Sequence, residues 1–250
     1  MSTSLVLAFV SSVLASLVGS FSGGGISLII FPLLLIIAPG AYTSLLTTSK
    51  VCSTVSTWVS GKIHWGRQVI DRKLLAVLVV CGLIGTAVGT YLVQYKLNEE
   101  LFKMLLAIIL IAAAVYLLFS KRLGIGSDKP ETVTGWLLMA TILFSLVINV
   151  FNGLFGGTGI FITLFLVVVF KLSFIQSIAY SLISYAIINV FQTSYLLATE
   201  TVNLALTLAV LAGSLVGTLV GTHLQYLKGN KWVKAASILV MLSLGVKMLW

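Results

Sequence analysis

The stretch GSFSGGGISLIIF, Gly19 to Phe31, occurs a second time as GLFGGTGIFITLF, Gly153 to Phe165. The copies register Gly19 with Gly153, Phe21 with Phe155, Gly23 with Gly157, Gly25 with Gly159, Ile26 with Ile160 and Phe31 with Phe165. Each places helix-breaking glycines between two apolar runs. In lipid, an interrupted helix is tolerated only where its freed backbone is buried in protein or lines a cavity. The two interruptions are therefore the expected functional site.

Composition says what surrounds them. The 250 residues are 59% hydrophobic and 8% charged, with a mean hydropathy of +1.16. A soluble domain carries about a quarter charged residues, so the chain is an integral membrane protein. Its apolar runs are too long, and too free of alternation, for the strands of a β-barrel of about ten residues each. The net charge of +9 comes from lysines and arginines in short loops, where orientation signals belong, and not from a nucleic-acid face. Cys52 and Cys81 lie inside apolar runs and read as small buried hydrophobes. The N-terminus has no basic residue ahead of its first apolar run, so no cleaved signal peptide is expected.

The order of elements repeats. Residues 1–120 form the first repeat, 121–132 a polar connection and 133–250 the second repeat. GTAVGTYL, Gly85 to Leu92, matches GTLVGTHL, Gly217 to Leu224, and the GxxxG spacing in both suits close helix packing. The basic segment Gly61 to Lys73 is expected as a loop, with His64 in it. A straight helix from Leu5 to Pro39 would be about 50 Å long, against the roughly 30 Å hydrocarbon core. Each broken segment is therefore expected to turn at its glycines and leave on the side it entered. That arrangement gathers Lys62, Arg67, Arg72, Lys73, Lys121, Arg122, Lys129, Lys171, Lys228, Lys231 and Lys234 on one face and leaves Lys96, Lys103 and Lys247 on the other. Two single crossings would instead divide the basic residues almost evenly. The positive-inside rule favours the hairpins, with loops 61–73, 120–132 and 228–234 cytoplasmic and both termini outside. The expected fold class is an all-α polytopic membrane protein of two inverted repeats, each a glycine-broken re-entrant helix pair plus three transmembrane helices. Such repeats mark secondary transporters.

With the duplicated break, the Gly61-Lys62-Ile63-His64-Trp65 segment and the paired GxxxG helices together, the chain resembles the TauE/SafE sulfite exporter family over nearly its whole length. The resemblance implies an inner-membrane carrier of sulfite or a related organosulfur anion, working as an exporter. The implied partners are that anion and the lipid bilayer, with no nucleic acid, no cofactor and no enzymatic activity; a homodimer is the assembly considered.

The residues specify an anion independently. After each break a new helix starts with backbone N–H groups that lack intrahelical partners and carry partial positive charge. The expected ligand contacts are Gly23, Gly24, Gly25, Gly156, Gly157 and Gly159, where the backbone can approach closely, with hydroxyls from Ser22, Ser27 and Thr158. Lys50 stands inside an apolar run and either faces the anion or snorkels to the outer surface. Asn152, Asn189 and Gln192 add amides, as ligand contacts or as interhelical glue, and Tyr180, Ser181, Ser184 and Tyr185 are weaker candidates. No carboxylate falls inside an apolar run, so no carboxylate proton relay is expected. The alternatives are a carrier of another small oxyanion or carboxylate and, in a different class, a non-transporting membrane assembly protein.

Overall fold

The computed structural model describes residues 3–23, 26–38, 40, 42–92, 99–120, 124–125 and 135–249, and among them every regular element is helical. The helices are α1 (Thr3–Ser22), α2 (Ile26–Ile37), α3 (Tyr42–Trp65), α4 (Arg72–Leu92), α5 (Glu99–Phe119), α6 (Gly135–Phe155), α7 (Gly159–Val169), α8 (Phe174–Thr199), α9 (Leu204–Lys228) and α10 (Asn230–Leu249). Local signals place several ends. Ser173 accepts from the Gln176 N–H at 3.3 Å to start α8, and Asn203 Oδ1 accepts from the Leu206 N–H at 3.1 Å to start α9. Such N-caps satisfy donors that a helix start leaves open. Gly229 ends α9 with φ 76°, a left-handed conformation suited to glycine.

Among the described residues five helices, α1, α4, α6, α8 and α9, are long and apolar enough to cross a membrane. Each shows apolar side chains outward at helical spacing, such as Val10 and Leu14 on α1 or Met139, Leu143 and Val147 on α6, the pattern of a lipid-facing stripe. Gly19 and Gly153, the first glycines of the two repeated stretches, lie within α1 and α6, which have 20 and 21 residues, and the following helices α2 and α7 have 12 and 11. At 1.5 Å per residue the arms are about 30 Å and about 17 Å long, so each broken unit pairs one full-length arm with one half-length arm. The chain doubles back closely: a Cβ on Gly19 would lie 3.0 Å from the Ile26 Cα.

The registers define how the helices run. Along α1 and α9, Gly213 meets Phe9, Gly221 meets Leu17, and Gln225 Nε2 donates to the carbonyls of Ser20 and Phe21. The two helices share a direction. So do α3 and α9, joined by Thr48 with Thr207 at 3.2 Å, Ser60 with Thr222 at 2.8 Å, and His64 Nδ1 with the Tyr226 hydroxyl at 2.7 Å. Helices α4 and α6 also run together, from Leu78 beside Ser145 to Gly89 beside Gly153. Helix α8 follows α4, with Tyr180 bonded to the Asp71 N–H at 2.6 Å and Ile188 against Gly82. Helices α3 and α8 cross in opposite directions, since Thr54 meets Thr193 at 2.7 Å while Gly61 meets Ile183. Thus α1, α3 and α9 point one way, and α4, α6 and α8 the other.

The repeated glycines make the close pairs. A Cβ on Gly85 would sit 2.5 Å from the Leu146 carbonyl of α6, and Gly217 and Gly221 press against the Val13 and Leu17 backbone of α1. These glycines are packing residues, as their spacing indicated. The basic segment is less of a loop than expected. Helix α3 continues through Trp65 and α4 begins at Arg72, so His64 is a helical, fully buried residue. The other histidine, His223, is exposed.

Candidate functional site

The second break sits where α3 and α8 pass each other. Gly156 and Gly157 both have positive φ, 77° and 76°, which lets α6 end and α7 restart within three residues. At Gly156 a side chain would also press on the end of Lys50. A Cβ there would lie 2.7 Å from Lys50 Cε, 2.9 Å from Lys50 Nζ and 3.4 Å from the Ser27 Cβ. The start of α2 therefore meets the second break, and the two repeated stretches converge at one place. Reciprocally, the Gly23 carbonyl of the first break accepts from Thr163 Oγ1 of α7 at 3.0 Å.

Lys50 is the bulkiest fully buried side chain among the described residues, with 0% exposure. It points inward and does not snorkel. Its Nζ reaches the Asn152 carbonyl and Asn152 Oδ1, each at 3.5 Å. Both partners are neutral and both distances are long for a charged donor. Gln192 Nε2 donates to the Asn152 and Gly153 carbonyls at 3.4 and 3.0 Å, so the last carbonyls of α6 are covered by a cation and an amide. Asn152 Nδ2 in turn donates to Thr86 Oγ1 at 3.2 Å.

Thr158 occupies the N-cap of α7 without capping it. Its hydroxyl pairs instead with the Tyr185 hydroxyl at 2.8 Å. A threonine at that position ordinarily satisfies an open N–H, and turning it away leaves the helix start available. Phe161 N–H is already taken by the Thr158 carbonyl at 3.0 Å, which narrows the open donors to those before it. Ser181 Oγ donates to the Gly159 carbonyl at 2.9 Å and fixes α7 against α8.

A small cavity lies in front of this arrangement. Ile26 of α2, Ser53 and Thr57 of α3, Asn152 and Gly157 of the second break, Gly159 of α7, and Ser181, Leu182, Tyr185 and Asn189 of α8 line it. Asn152, Gly157, Gly159 and Asn189 are expected contacts that reach the cavity. Ser27, Lys50, Gly156, Thr158 and Gln192 stand immediately around it. Ser27 Oγ, Asn189 Oδ1 and Gln192 Oε1 are buried without hydrogen-bond partners among the described residues. Such atoms are costly unless a ligand or water meets them.

Two expected contacts lie elsewhere. Ser22 donates to the Gly19 carbonyl at 3.4 Å and its own carbonyl accepts from Ser237 at 2.8 Å. Gly23, with φ 99°, packs against Ile178 and serves the turn. Gly24 and Gly25 fall outside the described residues. Ser53 and Thr57 were not anticipated, although their spacing from Lys50, three and seven residues on, places all three on one helix face. Tyr185 proves more central than its weaker ranking.

A family model described as "Sulfite exporter TauE/SafE" matches residues 8–248. The chain belongs to the TauE/SafE family. Over 248 residues it is also 22% identical to a "Probable membrane transporter protein" of Haemophilus influenzae, covering 98% of this chain and 94% of that protein. No solved structure matches it. Membership makes this chain a membrane transporter, and the duplicated break, the feature from which its sequence was read, lies entirely inside the matched span.

Proposed function

We propose that this TauE/SafE member carries sulfite or a related organosulfur anion out of the cell by alternating access, with the anion held where the two glycine breaks meet. The observation that carries the reading is Lys50: a fully buried cation whose hydrogen-bond acceptors among the described residues are neutral, beside a glycine whose missing Cβ leaves room for its end. A charge at mid-bilayer costs roughly 2.5–3.5 kcal/mol on insertion scales. A visiting anion removes that cost and supplies a reason for the lysine to face inward. The unpartnered Ser27 hydroxyl and the uncapped start of α7 add donors on the same side.

The access mechanism in this reading uses two inverted repeats, 1–120 and 133–250, rocking about the crossing of α3 and α8. Support comes from the helix directions, since α1, α3 and α9 oppose their repeat counterparts α6, α8 and α4. In the inner membrane, loops 61–73, 120–132 and 228–234 face the cytoplasm and both termini face outward, as the basic residues direct. The test is sulfite flux into proteoliposomes. Lys50→Ala should lower it to background while the protein remains monodisperse, and Lys50→Arg should retain part of it. Undiminished flux in Lys50→Ala would remove the anion from this site.

A further inference from the structure

The site also limits how much charge its ligand bears, an inference that rests on the anion-carrier reading above. Among the described residues the cavity wall contains no charged side chain; its polar members are Ser53, Thr57, Asn152, Ser181, Tyr185 and Asn189. Each break joins the negative C-terminal end of one helix to the positive N-terminal end of the next. Their partial charges, about half a unit each and opposite in sign, nearly cancel in sum while still orienting an anion toward the N–H side. The net fixed charge is then the single ammonium of Lys50, set behind Asn152 and Gly156. Groups facing Lys50 from the surrounding elements are Ser27 of α2, Asn152 of α6, Gly156 of the break and the nearby Gln192 of α8. None of these is acidic or basic, and the one titratable cavity residue, Tyr185, is bonded to Thr158.

Desolvation of an ion grows with the square of its charge, so a dianion faces about four times the penalty of a monoanion. Its attraction to one cation only doubles, by the linear dependence of Coulomb's law. The buried and unpartnered Ser27 hydroxyl offers a donor for one anionic oxygen but no second charge. The geometry points to a monoanionic sulfur oxyanion, hydrogensulfite or a sulfonate, as the transported form, with sulfate and fully deprotonated sulfite rejected.

Sulfite provides its own control, because it exchanges its second proton near neutrality. Binding of sulfite, methanesulfonate and sulfate to the purified full chain is measured by calorimetry between about pH 6 and about pH 8, and the ratio of sulfite to methanesulfonate affinity is read. Protein groups that titrate in this window affect both ligands and drop out of the ratio. The ratio should fall about tenfold per pH unit above sulfite's second pKa, following the hydrogensulfite fraction, and sulfate should bind at least about tenfold more weakly than methanesulfonate. A ratio that is flat or rises with pH, or sulfate binding as tightly as methanesulfonate, would overturn the single-charge rule and leave the anion-carrier reading standing. If none of the three ligands binds at any pH, the carrier reading falls and the charge rule with it.

Discussion

At the residue scale, Gly156 is the position where one methyl group would press directly on the buried lysine. Its φ of 77° is in the left-handed region, and its missing Cβ is the space that Lys50 Cε and Nζ occupy. Strain of this kind costs about 1–3 kcal/mol, so Gly156→Ala should lower the apparent melting temperature and reduce sulfite flux together. Gly135→Ala is the matched control, because a Cβ there meets nothing within 4 Å; it should leave both unchanged. An equal response of the two variants would mean that the lysine does not need the gap. Gln192→Leu tests the other cover of α6. It removes the amide donor to the buried Gly153 carbonyl and one of the donors to the Asn152 carbonyl, and should destabilise by about 1–3 kcal/mol in a denaturation series, the usual penalty for a buried acceptor that loses its donor.

The same scale shows what could be read in advance and what could not. The repeated glycines located the breaks, and the isolation of Lys50 from every carboxylate located the charge. Whether Lys50 faced inward was undecidable from its own helix, since both a tilted snorkelling helix and an inward one satisfy the same apolar pattern. Contact with a residue 102 positions away resolves it. Ser22 looked equivalent to its neighbours in the glycine cluster, yet its bonds run to Gly19 and Ser237, a partner on a distant helix that no local pattern names. The reach of α3 through Trp65 was hidden by polar and basic residues that read as loop but serve as the last turn of a helix, with His64 buried against Tyr226.

At the scale of elements, the paired GxxxG helices set the distance at which α1 meets α9 and α4 meets α6. Gly89 lies so close to the Val150 carbonyl that any side chain must displace α6. Gly89→Leu should therefore separate α4 from α6 and yield aggregated or poorly folded protein in size-exclusion chromatography, while Val88→Leu on the exposed neighbouring face should behave as wild type. Equal behaviour of the two would show that the seam tolerates expansion. The sequence located both seams through their repeat. Gly19 and Gly153 belong to the helices and not to the turns, and glycines at a close helix contact look the same in sequence as glycines in a turn.

At the scale of the whole molecule, a single-charge ligand and the absence of an acidic relay in the apolar runs make the membrane potential the expected driving force. A monoanion leaving a negative-inside compartment gains about 2.3 kcal/mol per 100 mV, equivalent to roughly a fiftyfold concentration ratio. Flux in proteoliposomes should rise when a potassium ionophore sets that potential and be indifferent to a pH gradient once the hydrogensulfite concentration is held constant. Flux that follows the pH gradient alone would require a proton-binding group in its place. All of this depends on the buried lysine holding the anion. Equilibrium binding of sulfite to the wild-type chain and to Lys50→Gln, with both shown to be folded and monodisperse, tests that directly: the account predicts at least about a tenfold loss of affinity in the variant, and equal affinity would contradict it.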